Sequence, residues 1–540
     1  MGLSTACFHV HDKFARRGDA AGMGNVRRGA PAFLGVLGMA TVLWAATGLN
    51  ASALDRPMDP VVLTGSQTPP LIGLAPGSIA AFRYDGEWRQ IPVQVDERAV
   101  IDFTDVYNGN WFFGDFRRLD YVDAGTHTGP DPDPALDADD EIVFMAKDAG
   151  VQNTEPVSLP AHVRYGTGVE VTITDPLGGE PGYVYLFQHD GTLDPGAGAQ
   201  YVNYHFNLLS GDYKTTYANP GPNPEDTNVT TPYYQWHFCD RWKSDGLRIF
   251  AGSATGVNIL DRHKNLFAPG KCTRSEDTFC EWEGAFVANR AGPVRVIRNY
   301  VGANSGPRTQ RQHIFYEQQQ IITTWLRVHS IDGVLDFFDY TPAANGMTYS
   351  NNNLPSGVVI DGVPDTVPPG PLLWEMVSGT QGTLVMWHRF ETDIAGYVPT
   401  SYYLDDAAPT VRQCTGDAYA YGSSGHWFDQ FIPNTDPYLV YYSLFSLSRR
   451  IYFMPPGTSA AEAQLLANKA DNPLNATTAA WNPEALSDMP AATPQALAAL
   501  IAAMLLISTL EHCMPRKRTG TAITSLPSSH RHTISDVCNK

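Results

Sequence analysis

Between Tyr165 and about Pro455 the chain carries one period-two apolar pattern after another, broken by Gly, Pro and Asn, with no helix-period segment of convincing length. VRYGTGVEVTITDP, which straddles the start of that span, then PGYVYLFQHD, GPVRVIRNYVG, HIFYEQQQIITTWLRVHSI and TLVMWHRFETDI all read as strands. A succession of this length predicts large antiparallel sheets packed face to face, a mainly β protein built on a β-sandwich. The 48 glycines and 40 prolines have no period, and Tyr, Phe and Trp are abundant, so neither collagen nor disorder fits.

Ahead of this region, residues 54–164 read as a smaller β domain with strand-like runs in VVLTG, GSIAAFRYDGEWRQIPVQVDER and EIVFMAKDAG. In IPVQVDER, the alternation of Ile91, Val93 and Val95 with Pro92, Gln94 and Asp96 predicts one buried face. The large sandwich domain is expected over 165–455. Residues 456–488 follow as helix and linker, with SAAEAQLLANKA (Ser459 to Ala470) an amphipathic helix capped by Ser459 and Glu462.

The two ends carry targeting signals. Arg27 and Arg28 precede the apolar run Phe33 to Ala46, and Ala51-Ser52-Ala53 forms an A-x-A cleavage site. Residues 1–53 are therefore expected to be a signal peptide, with Met23 an alternative start, and the mature chain to begin at Leu54 in a secreted, periplasmic or cell-surface protein. From Met489 to Leu510 an uncharged run rich in Ala, Leu and Ile is followed by Pro515-Arg516-Lys517-Arg518. For residues 489–514, a C-terminal membrane anchor and a buried helix both fit, with 515–540 a polar tail. The net charge of -19 disfavours a general nucleic-acid binder, which needs a basic face, and leaves room only for a local basic patch.

Export makes disulfides the expected state of Cys239, Cys272, Cys280 and Cys414, with all three pairings open, and no C-x-x-C pair supports zinc. In DPDPALDADDE, Asp131, Asp133, Asp137, Asp139, Asp140 and Glu141 fall within eleven residues. Such density suits a structural calcium ion, with Asp131, Asp133, Asp137, Asp139 and Glu141 as its expected ligands. The alternative is a solvated acidic turn ahead of a strand, and the spacing is not that of an EF-hand.

The span Arg274 to His329 holds the candidate chemistry. Period two places Ile321, Thr323, Trp325, Arg327 and His329 on one face of QIITTWLRVHSI, and Ile322, Thr324, Leu326 and Val328 on the other, better suited to the core. RQHIFYEQQ likewise aligns Arg311, His313, Phe315 and Glu317, with Tyr316 opposite. Paired strands would bring His313, Arg327 and His329 together as base, acid and charge neutraliser, with Tyr316 joining through a bulge, a set suited to β-elimination from an acidic polysaccharide. Trp325, Arg311 and Glu317 would then bind substrate. A glycoside hydrolase would instead need two carboxylates about 5 to 10 Å apart. Without catalysis, the same residues are cross-strand polar pairs on a solvated sheet face.

YYQWHFCDRW, from Tyr233 to Trp242, mixes aromatics with His237, Asp240 and Arg241, which suits a carbohydrate groove or, as the safer reading, a core beside a disulfide at Cys239. DRHK (Asp261 to Lys264) and GDAYAYGSSGHW read as loops with reactive residue types and no diagnostic spacing, and GSSG lacks the glycines of a nucleophile elbow.

GPVRVIRNYVG followed by HIFYEQQQIITTWLRVHSIDG resembles the supersandwich sheets of galactose-mutarotase-like proteins, in which a Gly-Pro-Val-Arg strand precedes a long strand bearing an imidazole. The resemblance covers Tyr165 to Pro455. It implies carbohydrate as the substrate class and does not identify catalytic residues. PVQVDER and DADDEIVFMA look like segments of uncharacterised secreted bacterial proteins and add no activity. The expectation is a carbohydrate-active enzyme, polysaccharide lyase or glycoside hydrolase; a non-catalytic glycan-binding or envelope structural protein is the alternative.

Overall fold

The computed structural model describes residues 54–106, 117–154, 158–215, 223–268, 275–276, 284–302, 309–326, 331–408, 420–432 and 445–481. The expected signal peptide, C-terminal apolar run and polar tail lie outside them, as do Cys272, Cys280, Cys414, Arg327 and His329. The molecule is mainly β, as the alternating pattern predicts. Among the described residues, no helix is long and apolar enough to cross a membrane.

The centre is a nine-stranded antiparallel sheet. Its strands run in the order Gly284–Ala291, Val296–Gly302, Gln310–Phe315, Gln319–Trp325, Phe445–Met454, Gly382–Thr392, Trp374–Gly379, Thr348–Asn351 and Leu354–Val359. The first four are successive in the chain, and Phe445–Met454 returns from far along it to separate them from the rest. Against one face lie two four-stranded sheets. One contains Asn203–His205, Pro224–Thr230, Tyr234–Asp240 and Ser244–Ile249; the other contains Leu260–Phe267, Ile331–Tyr340, Ala420–Ile432 and Thr400–Asp406. Ile259 donates its backbone N–H to Leu247 O at 2.9 Å, stitching the two together.

The interface between these layers is the main core. Tyr234, Trp236 and Phe238 alternate inward from their strand with Gln235, His237 and Cys239 only half-buried between them. Tyr234 stacks on Phe453 with ring centroids 3.7 Å apart, and Phe238 meets Phe315 edge-on at 6.1 Å. Each fully buried aromatic of this kind contributes about 1.5–3 kcal/mol through area removed from water. In Gln319–Trp325, Ile322 and Thr324 are buried while Ile321, Thr323 and Trp325 are half-buried, so the core face is the one expected.

The opposite face of the nine-stranded sheet is covered by the helix Ala460–Asp471, whose Ala463, Leu466 and Ala467 pack on Trp374, Met376, Val385 and Tyr452. It is also joined to a three-stranded sheet of Pro60–Thr64, Glu141–Met145 and Gln94–Asp96. Here IPVQVDER departs from simple alternation: Gln94 and Asp96 are buried as well as Ile91 and Val93. The polar pair is held because Gln94 Oε1 accepts the backbone N–H groups of Val294 and Arg295, and Asp96 binds Arg295 Nε at 2.8 Å. A five-stranded sheet orders Asn475–Ala480, Val169–Thr174, Gly182–Gln188, Ile79–Tyr84 and Trp88–Ile91, so it draws strands from both sides of residue 165 and from beyond the helix.

Candidate functional site

Strand register divides the expected site residues between the two faces of the large sheet. Arg311 pairs with Thr324 and His313 with Ile322, so both point into the sandwich, whereas Trp325 pairs with Gln310 on the other side. Trp325 is therefore no platform for a group bound beside His313. Arg311 and His313 are fully buried, which corrects the solvated-face reading. His313 stacks on Phe315, lies 2.9 Å from Tyr300 Oη and accepts from Gln320 Nε2 at 2.9 Å. Burial, then Arg311, holds its imidazole well below the usual histidine range.

Tyr316 is also buried, and its hydroxyl accepts from Arg295 at 3.4 Å. Glu317 binds Lys147, whose ammonium sits 4.0 Å over the Tyr201 ring. Neither joins His313.

In the acidic segment, the carboxylates turn mostly to backbone N–H groups. Asp131 accepts from Asp133, Asp133 from Ala135, Asp137 from Asp139, and Asp140 from both Asp137 and Arg98. Glu141 binds Arg98, Tyr121 and Arg295, each at 2.7 Å. Hydrogen bonding to Asp137, then burial, pushes Asp139 up to about 6. No group of three or more His, Cys, Asp or Glu among the described residues is arranged to hold a metal ion.

The densest chemistry lies elsewhere, between the nine-stranded sheet and its Leu260–Phe267 partner sheet. Arg298, His313, Ile322, Arg449 and His388 are register partners in sequence across five strands of the large sheet, forming one inward row. The facing sheet contributes Asn265, Asp336 and His426 as a second register row, with His263 one step along. All of these side chains are buried.

Asp336 is the hub. Its carboxylate binds Arg449, Asn265, Arg311 Nη2 at 3.0 Å and His263 Nε2 at 3.2 Å. Arg449 also donates to the Asp336 backbone carbonyl at 2.7 Å and lies over the Phe338 ring. Burial alone would raise the Asp336 carboxyl, but Arg449, with His263 and Arg311, holds it well below the carboxylate range. For His263, burial and then Arg311 lower the imidazole to about 3.

A second chain of contacts crosses the interior beside the hub. His388 Nε2 lies 3.0 Å from Glu375 Oε1, out of line for a strong hydrogen bond, and His388 Nδ1 lies 2.9 Å from His426 Nε2. Glu375 also accepts from the Tyr349 hydroxyl at 3.2 Å. Burial lowers both imidazoles; for His426 the neighbouring His388 and Arg449 add to it. The centre thus offers neutral imidazoles as proton acceptors beside fixed cations.

Sequence reasoning passed over His263, Asp336, His388, His426, Glu375 and Arg449. DRHK and GSSGHW are not loops: they lie in the strands Leu260–Phe267 and Ala420–Ile432. Their alternating polar residues, read singly, look like an exposed face. The signal lay in the coincidence of such residues in several strands, visible only when register brings His263 to Arg449, 186 residues away.

Fold and site together define a mainly β sandwich with an internal histidine–arginine–carboxylate centre. No family model matches the sequence, and no curated protein does. The chain is similar to a glycosyl hydrolase family 38 protein from Enterococcus faecalis, at TM-score 0.38 and 9% identity over 81% of this chain and 48% of the other. It is similar to an α-mannosidase from Enterococcus faecalis V583, at TM-score 0.38 and 9% identity over 80% and 46%. A protein of Escherichia coli K12 described as a "putative aldose 1-epimerase" matches 44% of this chain over 100% of its own, at TM-score 0.25 and 10% identity. The chain spans about half the length of the first two. Likenesses this distant decide nothing about chemistry, which must be argued from the residues.

Proposed function

We propose that the chain is a secreted or surface-tethered carbohydrate-active enzyme, a polysaccharide lyase in preference to a glycoside hydrolase, with its chemistry in the polar centre of the sandwich. The observation that carries this reading is the inward row in which Arg449 stands beside His388, opposite Asp336 and His426. Elimination from a uronate needs a neutral base and a cation to stabilise charge on the carboxylate, and this row holds both residue types. A hydrolase needs one carboxyl raised to act as acid. Asp336 is driven the other way by Arg449. The leader-like start and the cysteines support action outside the cytosol.

One observation favours a non-catalytic glycan-binding or envelope protein instead: the centre is buried and much of it is internally paired. Incubating the purified protein with alginate, polygalacturonate, hyaluronan and a neutral glucan separates the readings. A lyase raises ultraviolet absorbance and reducing ends together on an acidic polymer. Reducing ends alone indicate a hydrolase, and silence on both with retention on a glycan array leaves the binder.

A further inference from the structure

The face of the Leu260–Phe267 sheet turned away from the polar centre holds a second buried charge pair. Period two sends Lys264 to the opposite side of its strand from His263, and Asp339 to the opposite side of its strand from Asp336. Both side chains are fully buried, with Lys264 Nζ 2.5 Å from Asp339 Oδ2. The other carboxylate oxygen, Oδ1, accepts from the Ser423 hydroxyl at 2.5 Å. Lys264 Nζ also stands 6.0 Å from the centre of the Phe337 ring, which packs with Leu266, Leu335 and Tyr402. An amine, a carboxyl group and a hydroxyl that donates to it are thus held together away from solvent, where two opposite charges repay their desolvation poorly. Shifting one proton from Nζ to Oδ2 leaves a neutral amine against a neutral acid, with no proton gained or lost, and burial favours the uncharged forms.

We propose that Lys264 and Asp339 condense to an intramolecular amide, a covalent link between neighbouring strands that the folded chain forms by itself. The Nζ lone pair attacks Cγ, and the charge arriving on Oδ1 is met by the Ser423 hydroxyl. A proton then passes from the nitrogen to Oδ2, the Cγ–Oδ2 bond breaks, and one water leaves as the Cγ–Oδ1 double bond re-forms. Nothing is oxidised or reduced, and no second reactant has to enter. Folding supplies the rate advantage, because two groups held in contact react without the entropy cost of a bimolecular encounter. The link joins residues 75 apart in sequence and closes a loop containing the first four strands of the nine-stranded sheet, Gly284–Ala291 through Gln319–Trp325. Unlike a disulfide it is indifferent to reductant, and it stands independently of the catalytic reading above.

Peptide mass spectrometry of the full-length protein, unfolded in denaturant with reductant and digested with trypsin, tests the link. The expected product is the peptide His263 to Lys271, uncut after Lys264 and joined to the peptide carrying Asp339, lighter by one water than the two together. Two separate peptides, with the chain cut after Lys264, overturn the inference and leave an ion pair. Lys264→Arg keeps a cation but no nucleophilic amine and is expected to abolish the joined product; a joined product that survives this change also overturns it. Ser423→Ala is expected to slow the appearance of the joined peptide at least about 100-fold after a short pulse of synthesis, and an unchanged rate removes Ser423 from the step. Should either variant not fold, the wild-type digest decides, since it needs no substitution.

Discussion

Five histidines divide into two groups with opposite pH behaviour. His263, His313, His388 and His426 are held neutral by burial, whereas in the unfolded chain each would protonate near pH 6.5. Acid therefore draws protons to the unfolded state. Stability is expected to fall as pH drops below about 6.5, and for His263 the loss continues down to about 3. His237 behaves oppositely. Although burial lowers it, Asp245 at 2.5 Å and Asp226 at 3.0 Å raise it to about 9. Its contribution is present below about pH 6.5 and disappears as pH rises through about 9. Urea unfolding between pH 5 and 10 checks both, and replacing His237 with Gln should flatten only the alkaline limb. Asp336→Asn removes the counter-charge of two buried arginines and is expected to cost about 3–5 kcal/mol, read from the guanidinium midpoint.

At the level of elements, the helix Ala460–Asp471 is secured at both ends. Ser459 accepts the Glu462 N–H and Glu462 returns a bond to the Ser459 N–H at 2.7 Å. Ser459→Ala should cost about 1 kcal/mol in thermal unfolding, and Ser459→Asp much less. The other end is held by Arg56, fully buried, which donates to the carbonyls of Lys469 and Asn472 and binds Asp59 and Asp175. The helix and the strands of the large sheet were legible because capping and period two are local. Arg56 was not, since its partners lie up to 416 residues away. The same limit explains the site. Arg311 and His313 stood out as reactive types, but which face they share depends on pairing, and pairing set Trp325 opposite to them. Histidines in alternating strands signal exposure until a second sheet is known to cover them.

For the whole molecule, the five-stranded sheet matters most. Trp481 follows its last strand and packs against Trp88, Tyr185 and Phe187 with centroid distances of 5.5, 5.4 and 5.7 Å. Trp481→Ala is expected to cost about 3–5 kcal/mol and to lower the single unfolding midpoint, monitored by near-ultraviolet circular dichroism.

That sheet also sets an order of events in time. Asn475–Ala480 lies along Val169–Thr174, a pairing that spans about 300 residues of chain. A ribosome therefore exposes Val169–Thr174 long before its neighbour exists, and that edge stays open until Asn475–Ala480 has been made. Contacts of such sequence separation form slowly. Until then the five-stranded sheet lacks an edge strand, and completion of the fold is expected to wait on this last seam.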